Sequence, residues 1–173
     1  MTPEIRRSIH AFRNALVLAA DTRSHECFRM PRWWQEMNNF PHGCCYLSSN
    51  FLAQYLKDSY PTLMPVIVHM QTTADFRKKH KSSIKSHVIT KLDKWYIDLT
   101  LNQFAEYRSR VVIDDNTGTL GTLLRNIRDC DGDIEERDIQ LNTFSENGQK
   151  LYAWLCSTAN KLLKDVEAEN TSC

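Results

Sequence analysis

Apolar residues recur at every third or fourth position near the start of the chain, which is the spacing of one face of an α-helix. Ile5, Ile9 and Phe12 mark this face, and Thr2 stands where a hydroxyl can cap the first turn. A proline directly after the cap is favoured as the first helical residue. The pattern therefore predicts an amphipathic helix over residues 3–20.

A second apolar run follows Gly43 and two adjacent cysteines, and it predicts a helix over residues 45–57. The pattern changes at Pro65, because the apolar runs become short and are separated by polar turns. Such runs indicate buried strands, which are predicted at residues 66–70, 86–90, 95–99 and 110–113.

Polar segments and further helices complete the pattern. Residues 72–85 are strongly basic and are predicted to form an exposed loop or a short helix, whereas residues 129–138 are interpreted as an acidic connection. Two more helices are predicted, a short one over residues 120–127 and a long one over residues 146–167 that is capped by Ser145.

These elements predict one α+β domain that covers residues 1–173. Its core, at about residues 39–113, is predicted to pack a helix on a small antiparallel sheet. Helical segments at residues 1–38 and 114–173 are expected to flank this core. A chain of this length can bury a hydrophobic core without metal or disulfide crosslinks.

Composition narrows the classes of function. Apolar residues make up 42% of the chain and charged residues 25%, with a formal net charge of +1, which argues against a dedicated nucleic-acid binder. No apolar run has the length of a membrane span, and the run at residues 15–20 lacks a cleavage pattern after it. We therefore expect no nucleic-acid partner and no membrane association.

Cysteine placement indicates the compartment. Two of the six cysteines are adjacent and Cys173 is the last residue, which is a poor framework for disulfides. A reducing cytoplasm is the expected location.

The adjacent cysteines are also the first candidates for chemistry. A cysteine at the start of a buried helix lies beside unpaired backbone N–H groups and the positive end of the helix dipole, which favour its anionic form. Cys45 is therefore a candidate nucleophile, and Cys44 is the alternative.

His87 and Asp98 are the candidate base and orienting carboxylate. If Asp93 and Lys94 form a two-residue turn, Ile89 pairs with Asp98 across the hairpin. His87 and Asp98 then share a face of the sheet as diagonal neighbours, within reach of a hydrogen bond. A three-residue turn would reverse this arrangement.

Each of these residues also has a structural interpretation when it is taken alone. Asp98 can accept hydrogen bonds from the backbone of Thr100 or Leu101, His87 can be a structural histidine, and Cys45 can be a small buried residue. The three together favour catalysis, because a cysteine nucleophile needs an imidazole to take its proton and a third group to orient that imidazole.

The surrounding motifs resemble the papain-like and transglutaminase-like cysteine hydrolase superfamily, and within it small bacterial members that are effector- or toxin-like. The matching segments span about residues 39–104 and are Gly43-Cys44-Cys45, Ser86-His87-Val88 and Tyr96-Ile97-Asp98-Leu99-Thr100, followed by Leu101-Asn102-Gln103-Phe104. The resemblance implies a papain-like core and a nucleophile two residues after the glycine, which selects Cys45 over Cys44.

The resemblance also implies an oxyanion site made from the N–H of Cys45 and an upstream side-chain donor. Gln35 and Asn39 are the candidates, Trp34 with its indole N–H is a further one, and Gln35 is favoured because papain-like enzymes use a glutamine. Gln103 is an alternative, although its position after Asp98 indicates a structural or orienting role.

The expected function is a cysteine-dependent amide hydrolase or acyl transferase that acts on protein or peptide substrates, as a peptidase, a glutamine deamidase or a transglutaminase. No cofactor and no metal are expected, since phosphate-binding loops and metal-ligand spacings are absent from the sequence. Likeness to effectors implies delivery into a target cell and a regulatory or immunity protein as partner. The alternative is a catalytically inactive papain-like interaction module.

Overall fold

The computed structural model describes residues 1–22, 37–141 and 146–171, and in these ranges the chain is a mixed α+β protein. The helices are α1 (Pro3–Asp21), α2 (Cys45–Ser59), α3 (Ala74–His80), α4 (Thr119–Arg128) and α5 (Glu146–Thr171). The strands are β1 (Val66–Gln71), β2 (Ser86–Leu92), β3 (Trp95–Asp98), β4 (Val112–Asp114) and β5 (Asp133–Arg137).

The helix predictions are confirmed within a few residues at each end. In α1 the Thr2 hydroxyl accepts a hydrogen bond from the Ile5 N–H at 3.3 Å, as a cap should. The basic segment at residues 72–85 contains the short helix α3, whose cap is Thr73. The predicted cap at Ser145 lies outside the described residues.

The described strands form one five-stranded antiparallel sheet in the order β4-β3-β2-β1-β5. Helices cover both faces. On one face, α2 packs against β1 and β2, with Ala53 against Ile67 and Val88. On the other face, α4 buries its apolar side against residues such as Val68 and Ile89. The sheet is therefore the middle of three layers.

The two long helices α1 and α5 lie on the same side of the sheet as α2. Ile9, Phe12 and Leu16 of α1 share a buried cluster with Leu151 and Leu155 of α5. Burial of this kind stabilises the fold by about 1.5–3 kcal/mol for each large apolar side chain. The flanking helices thus belong to the main hydrophobic core.

The hairpin between β2 and β3 has the predicted register, since Leu92 pairs with Trp95 and Thr90 pairs with Ile97. Asp93 opens the turn with a positive φ of 52°, a conformation that aspartate adopts more readily than most residues. The two-residue turn is therefore confirmed.

Two strand predictions need correction. The acidic connection at residues 129–138 contains β5, which pairs with β1 through Met70 and Ile134. Sequence pattern missed this strand because it lies at the sheet edge with mostly exposed, charged side chains, so it carries little apolar alternation. The fourth strand is also displaced, to Val112–Asp114 instead of residues 110–113.

Among the described residues, no helix combines the length and the apolar character that crossing a membrane requires.

Candidate active site

Cys45 is the first residue of α2, and the turn before it sets its position. Gly43 has a φ of 75°, which a residue with a side chain would adopt only with strain. Cys44 is fully buried in the main core, whereas Cys45 is partly exposed and lines a cleft of about 380 Å³. Of the two thiols, Cys45 is thus the one that a molecule in the cleft can reach.

His87 and Asp98 form a buried pair, as their predicted register requires. The Nε2 of His87 donates to the Oδ2 of Asp98 at 2.5 Å, and each side chain is almost fully buried. A buried carboxylate is stable only with a partner of this kind.

The other oxygen of Asp98 is also occupied. Its Oδ1 accepts hydrogen bonds from the Thr100 N–H at 2.7 Å and from the Thr100 hydroxyl at 3.1 Å. Asp98 therefore has both roles considered from sequence, since one oxygen holds the backbone after β3 and the other orients the imidazole.

The second ring nitrogen of His87 faces Cys45. The Nδ1 is buried and, within the described ranges, has no partner in regular hydrogen-bond geometry. Because Nε2 is taken by Asp98, interaction of the ring with the Cys45 thiol falls to Nδ1. The edge of Phe104 contacts the ring at a centroid distance of 5.1 Å and limits its rotation.

Electrostatics favour a protonated His87. Burial disfavours the charged imidazolium, but the charge of Asp98, its hydrogen bond and the Cys45 side chain outweigh burial and raise the pKa of His87 to about 10. At neutral pH the site therefore contains an imidazolium beside the Cys45 side chain.

Arg13 of α1 reaches into this region, and sequence analysis did not single it out. Its Nε donates to the Leu99 carbonyl at 2.8 Å, and its guanidinium lies 4.2 Å from the centroid of the Phe40 ring. Burial and the neighbouring Arg110 lower the pKa of Arg13 to about 10. A signal was present, since Arg13 follows Ile9 by one helical turn and so lies on the apolar face of α1.

Gln103 joins the two halves of the site. Its Oε1 accepts from the Gly43 N–H at 3.1 Å, and its Nε2 donates to the Thr100 carbonyl at 3.1 Å. The side-chain amide thus connects the turn before Cys45 with the segment after Asp98, in agreement with the structural role considered from sequence.

The cleft extends from Cys45 over the sheet face towards β5. Alternate residues of β2, β1 and β5 form its floor, and Tyr46 stands beside Cys45 at its wall. The floor residues are Ser86, Val88, His69, Gln71, Asp133, Glu135 and Arg137. The strand that sequence analysis missed therefore forms one border of the site.

His69 is a second histidine of the site, and it lies in the floor of the cleft. Burial and then the charge of Arg137 lower the pKa of His69, the opposite direction from the shift at His87. Its ring meets Tyr46 edge-on at 5.8 Å, which fixes its position against the cleft wall.

Of the predicted upstream oxyanion donors, the structure describes only Asn39. Gln35 and Trp34 lie outside the described ranges. Asn39 is exposed in the turn before Cys45, where its carbonyl accepts from the His42 N–H at 2.8 Å, and it is absent from the described residues that line the cleft. The Cys45 N–H itself lies in the first turn of α2, where no intrahelical carbonyl is available to it.

Metal-ligating side chains do not cluster in the described part of the chain. Across residues 1–22, 37–141 and 146–171, no group of three or more His, Cys, Asp or Glu residues is placed to hold a metal ion.

Comparisons with known proteins show a distant similarity to an uncharacterized protein. The chain is 28% identical over 161 residues to the uncharacterized protein YuaU of Escherichia coli strain K12, a match that covers 90% of this chain and 70% of that protein. The same protein from strain UTI89 matches to the same extent. No protein-family model and no solved structure matches the chain.

Proposed function

We propose that this protein is a cysteine-dependent amide hydrolase or acyl transferase in which Cys45, His87 and Asp98 are the catalytic residues. The observation that carries the proposal is the buried His87–Asp98 pair, whose free ring nitrogen meets the thiol at the start of α2. An α+β fold with a helix packed on an antiparallel sheet is compatible with a papain-like or transglutaminase-like core, which is part of the same proposal.

In the first half-reaction, the Cys45 thiolate attacks the carbonyl carbon of a substrate amide. The developing oxyanion accepts a hydrogen bond from the Cys45 N–H, and Nδ1 of His87 gives its proton to the departing amine. The C–N bond breaks and a thioester remains on Cys45. Asp98 keeps Nε2 engaged and stabilises the imidazolium before the proton is transferred.

In the second half-reaction, Nδ1 of His87 takes a proton from the acceptor as that acceptor attacks the thioester, and the thiolate leaves. Water as acceptor gives peptidase or glutamine deamidase activity, and an amine gives transglutamination. The three outcomes share the same residues, and in each of them the partner is a protein or peptide substrate.

Alkylation with iodoacetamide tests the proposal without a known substrate. Near neutral pH we expect Cys45 to react faster than Cys44, Cys130 and Cys156, because only an activated thiolate reacts quickly. Peptide mapping by mass spectrometry assigns the modified residue. The substitution His87→Ala should slow the modification of Cys45 by about tenfold or more.

The control is His10→Ala, which removes an exposed histidine of α1 that does not line the cleft. It should leave the rate unchanged. Equal and slow modification of Cys45 with the other cysteines, in a protein that remains folded, would contradict the proposal and favour a non-catalytic interaction module. If Cys45 is activated, mass spectrometry of protein substrates separates chain cleavage, deamidation and crosslinking.

A further inference from the structure

The side chain of Gln103 makes two hydrogen bonds that belong neither to the helices and strands nor to the His87–Asp98 pair. It ends the short 3-10 helix Leu101–Gln103 after β3, and its side-chain amide turns back towards α2. There it meets the Gly43 N–H, a group 60 residues away in sequence. A glutamine offers an acceptor and a donor on one side chain, and both are used here.

The two groups that Gln103 binds belong to the two arms of the site. The Thr100 carbonyl lies on the residue whose N–H and hydroxyl hold Asp98. Gly43 lies two residues before Cys45, where its φ of 75° turns the chain into α2. A continuous series of hydrogen bonds therefore runs from His87 through Asp98, Thr100 and Gln103 to the turn that carries the thiol.

This series matters because the contact between His87 and Cys45 is not itself a regular hydrogen bond. The gap between sulfur and Nδ1 is set by the relative position of two backbone segments. A displacement of about 1 Å between such groups can reduce a catalytic rate by about a hundredfold. Whatever fixes the turn at Gly43 relative to Asp98 therefore fixes the reactivity of Cys45.

We propose that Gln103 is a positioning residue, whose side-chain amide holds Cys45 at the distance from His87 at which the thiol is activated. This inference rests on the proposed function. Gln103 acts through Gly43 and Thr100 and does not touch substrate, since its Nε2 is spent on the Thr100 carbonyl and it is absent from the described residues that line the cleft.

The test compares Gln103→Met, which keeps the length of the side chain and removes both hydrogen bonds, with Gln103→Glu, which keeps an acceptor for the Gly43 N–H. The rate of iodoacetamide modification of Cys45 is measured as a function of pH. For Gln103→Met we expect a rate near neutral pH at least about tenfold lower and a profile shifted towards that of an ordinary thiol, near pH 8.5. Gln103→Glu should retain more of the rate than Gln103→Met.

The matched control is Gln54→Met, which removes a glutamine hydrogen bond to Asp58 on α2 away from the cleft. It should leave the rate and the profile unchanged. Circular dichroism shows which variants are folded, and Gln103→Glu supplies the comparison if Gln103→Met is not.

The outcomes separate the two proposals. An activated Cys45 in the unmodified protein, with the same profile in folded Gln103→Met and Gln103→Glu, would overturn the role of Gln103 and leave the proposed function standing. An ordinary thiol profile at Cys45 in the unmodified protein would overturn both.

Discussion

At the scale of single residues, the site depends on how Asp98 divides its two oxygens. A buried carboxylate that held only the backbone would leave Nε2 of His87 without its acceptor, and one that held only His87 would leave the Thr100 N–H without its own. Because each oxygen has its own partner, the imidazole and the backbone are fixed together. The pair raises the pKa of His87 while burial opposes it, so protonation of His87 and folding are coupled.

This coupling predicts a pH dependence of stability. The pKa of His87 rises from 6.5 to about 10 on folding, so its contribution is complete below about pH 6.5 and is lost as the pH rises through about 10. Asp98→Asn removes the charge that raises this pKa. We expect the free energy of unfolding of Asp98→Asn to be lower by about 3 kcal/mol near neutral pH, and the difference from the unmodified protein to shrink towards pH 10.

Urea unfolding at a series of pH values measures both quantities. Asp75→Asn, at an exposed position in the first turn of α3, is the control and should follow the unmodified protein. A constant difference between Asp98→Asn and the unmodified protein across this range would contradict a raised pKa at His87.

At the scale of elements, the sheet contains a part that the local sequence determines, the β2–β3 hairpin, and a part that it does not, the strand β5. The β2–β3 hairpin was predictable with its register, because a two-residue turn at Asp93 and the strict alternation of strand side chains leave one arrangement. The strand β5 was not predictable, since its charged residues become a strand only by pairing with β1, which is distant in sequence. The partners of Cys45 were thus visible in the sequence, and the border of its cleft was not.

The junction before β5 offers a test of this element. A Cβ added to Gly132 would lie 2.5 Å from the Cγ2 of Ile127 and 2.7 Å from the carbonyl oxygen of Gln71, so α4 or β1 must shift. We expect Gly132→Ala to lower the free energy of unfolding by about 1–3 kcal/mol. Hydrogen exchange should also become faster in the amides that join β5 to β1.

Urea denaturation and exchange followed by mass spectrometry provide the measurements. Thr122→Ala, at an exposed position of α4, is a control that should change stability by about 0.5 kcal/mol or less. Unchanged exchange in β5 of Gly132→Ala would show that the junction accommodates a side chain and that β5 is held independently of it.

At the scale of the whole molecule, α1 is part of the site although it lies far from it in sequence. Arg13 extends from α1 to the Leu99 carbonyl, directly after Asp98, while the apolar face of the same helix packs against α5. The apolar face was evident from sequence, but the contact of Arg13 was not, because the position of Leu99 depends on the complete sheet. The helix α1 therefore supports the geometry of the site as well as the core.

Because Arg13 is buried and bonded to Leu99, we expect Arg13→Met to destabilise the protein more than the same substitution at an exposed arginine. The substitution leaves the buried Leu99 carbonyl without its donor, which should lower the free energy of unfolding by about 1–3 kcal/mol. We also expect slower iodoacetamide modification of Cys45, because the segment that carries Asp98 loosens.

Arg6→Met is the matched control on the same helix. Its guanidinium lies over the Trp95 ring at 5.2 Å and makes no contact of this kind with Leu99, so we expect a loss of about 1 kcal/mol or less and an unchanged rate at Cys45. Thermal or urea unfolding and the same alkylation assay provide the comparison. Equal effects of the two substitutions would show that the hydrogen bond from Arg13 to Leu99 contributes no more than the contact of Arg6 with Trp95.

The charged character of β5 has a consequence for the protein in concentrated solution. The outermost strand of a sheet exposes unpaired N–H and C=O groups that can recruit the strand of another molecule, and charged side chains there discourage such pairing. With β5 in place, the apolar strand β1 is an interior strand, and this edge of the sheet presents Asp133, Glu135, Glu136 and Arg137 instead. Replacing these charged side chains with apolar ones should therefore cause aggregation of the protein while each molecule still folds.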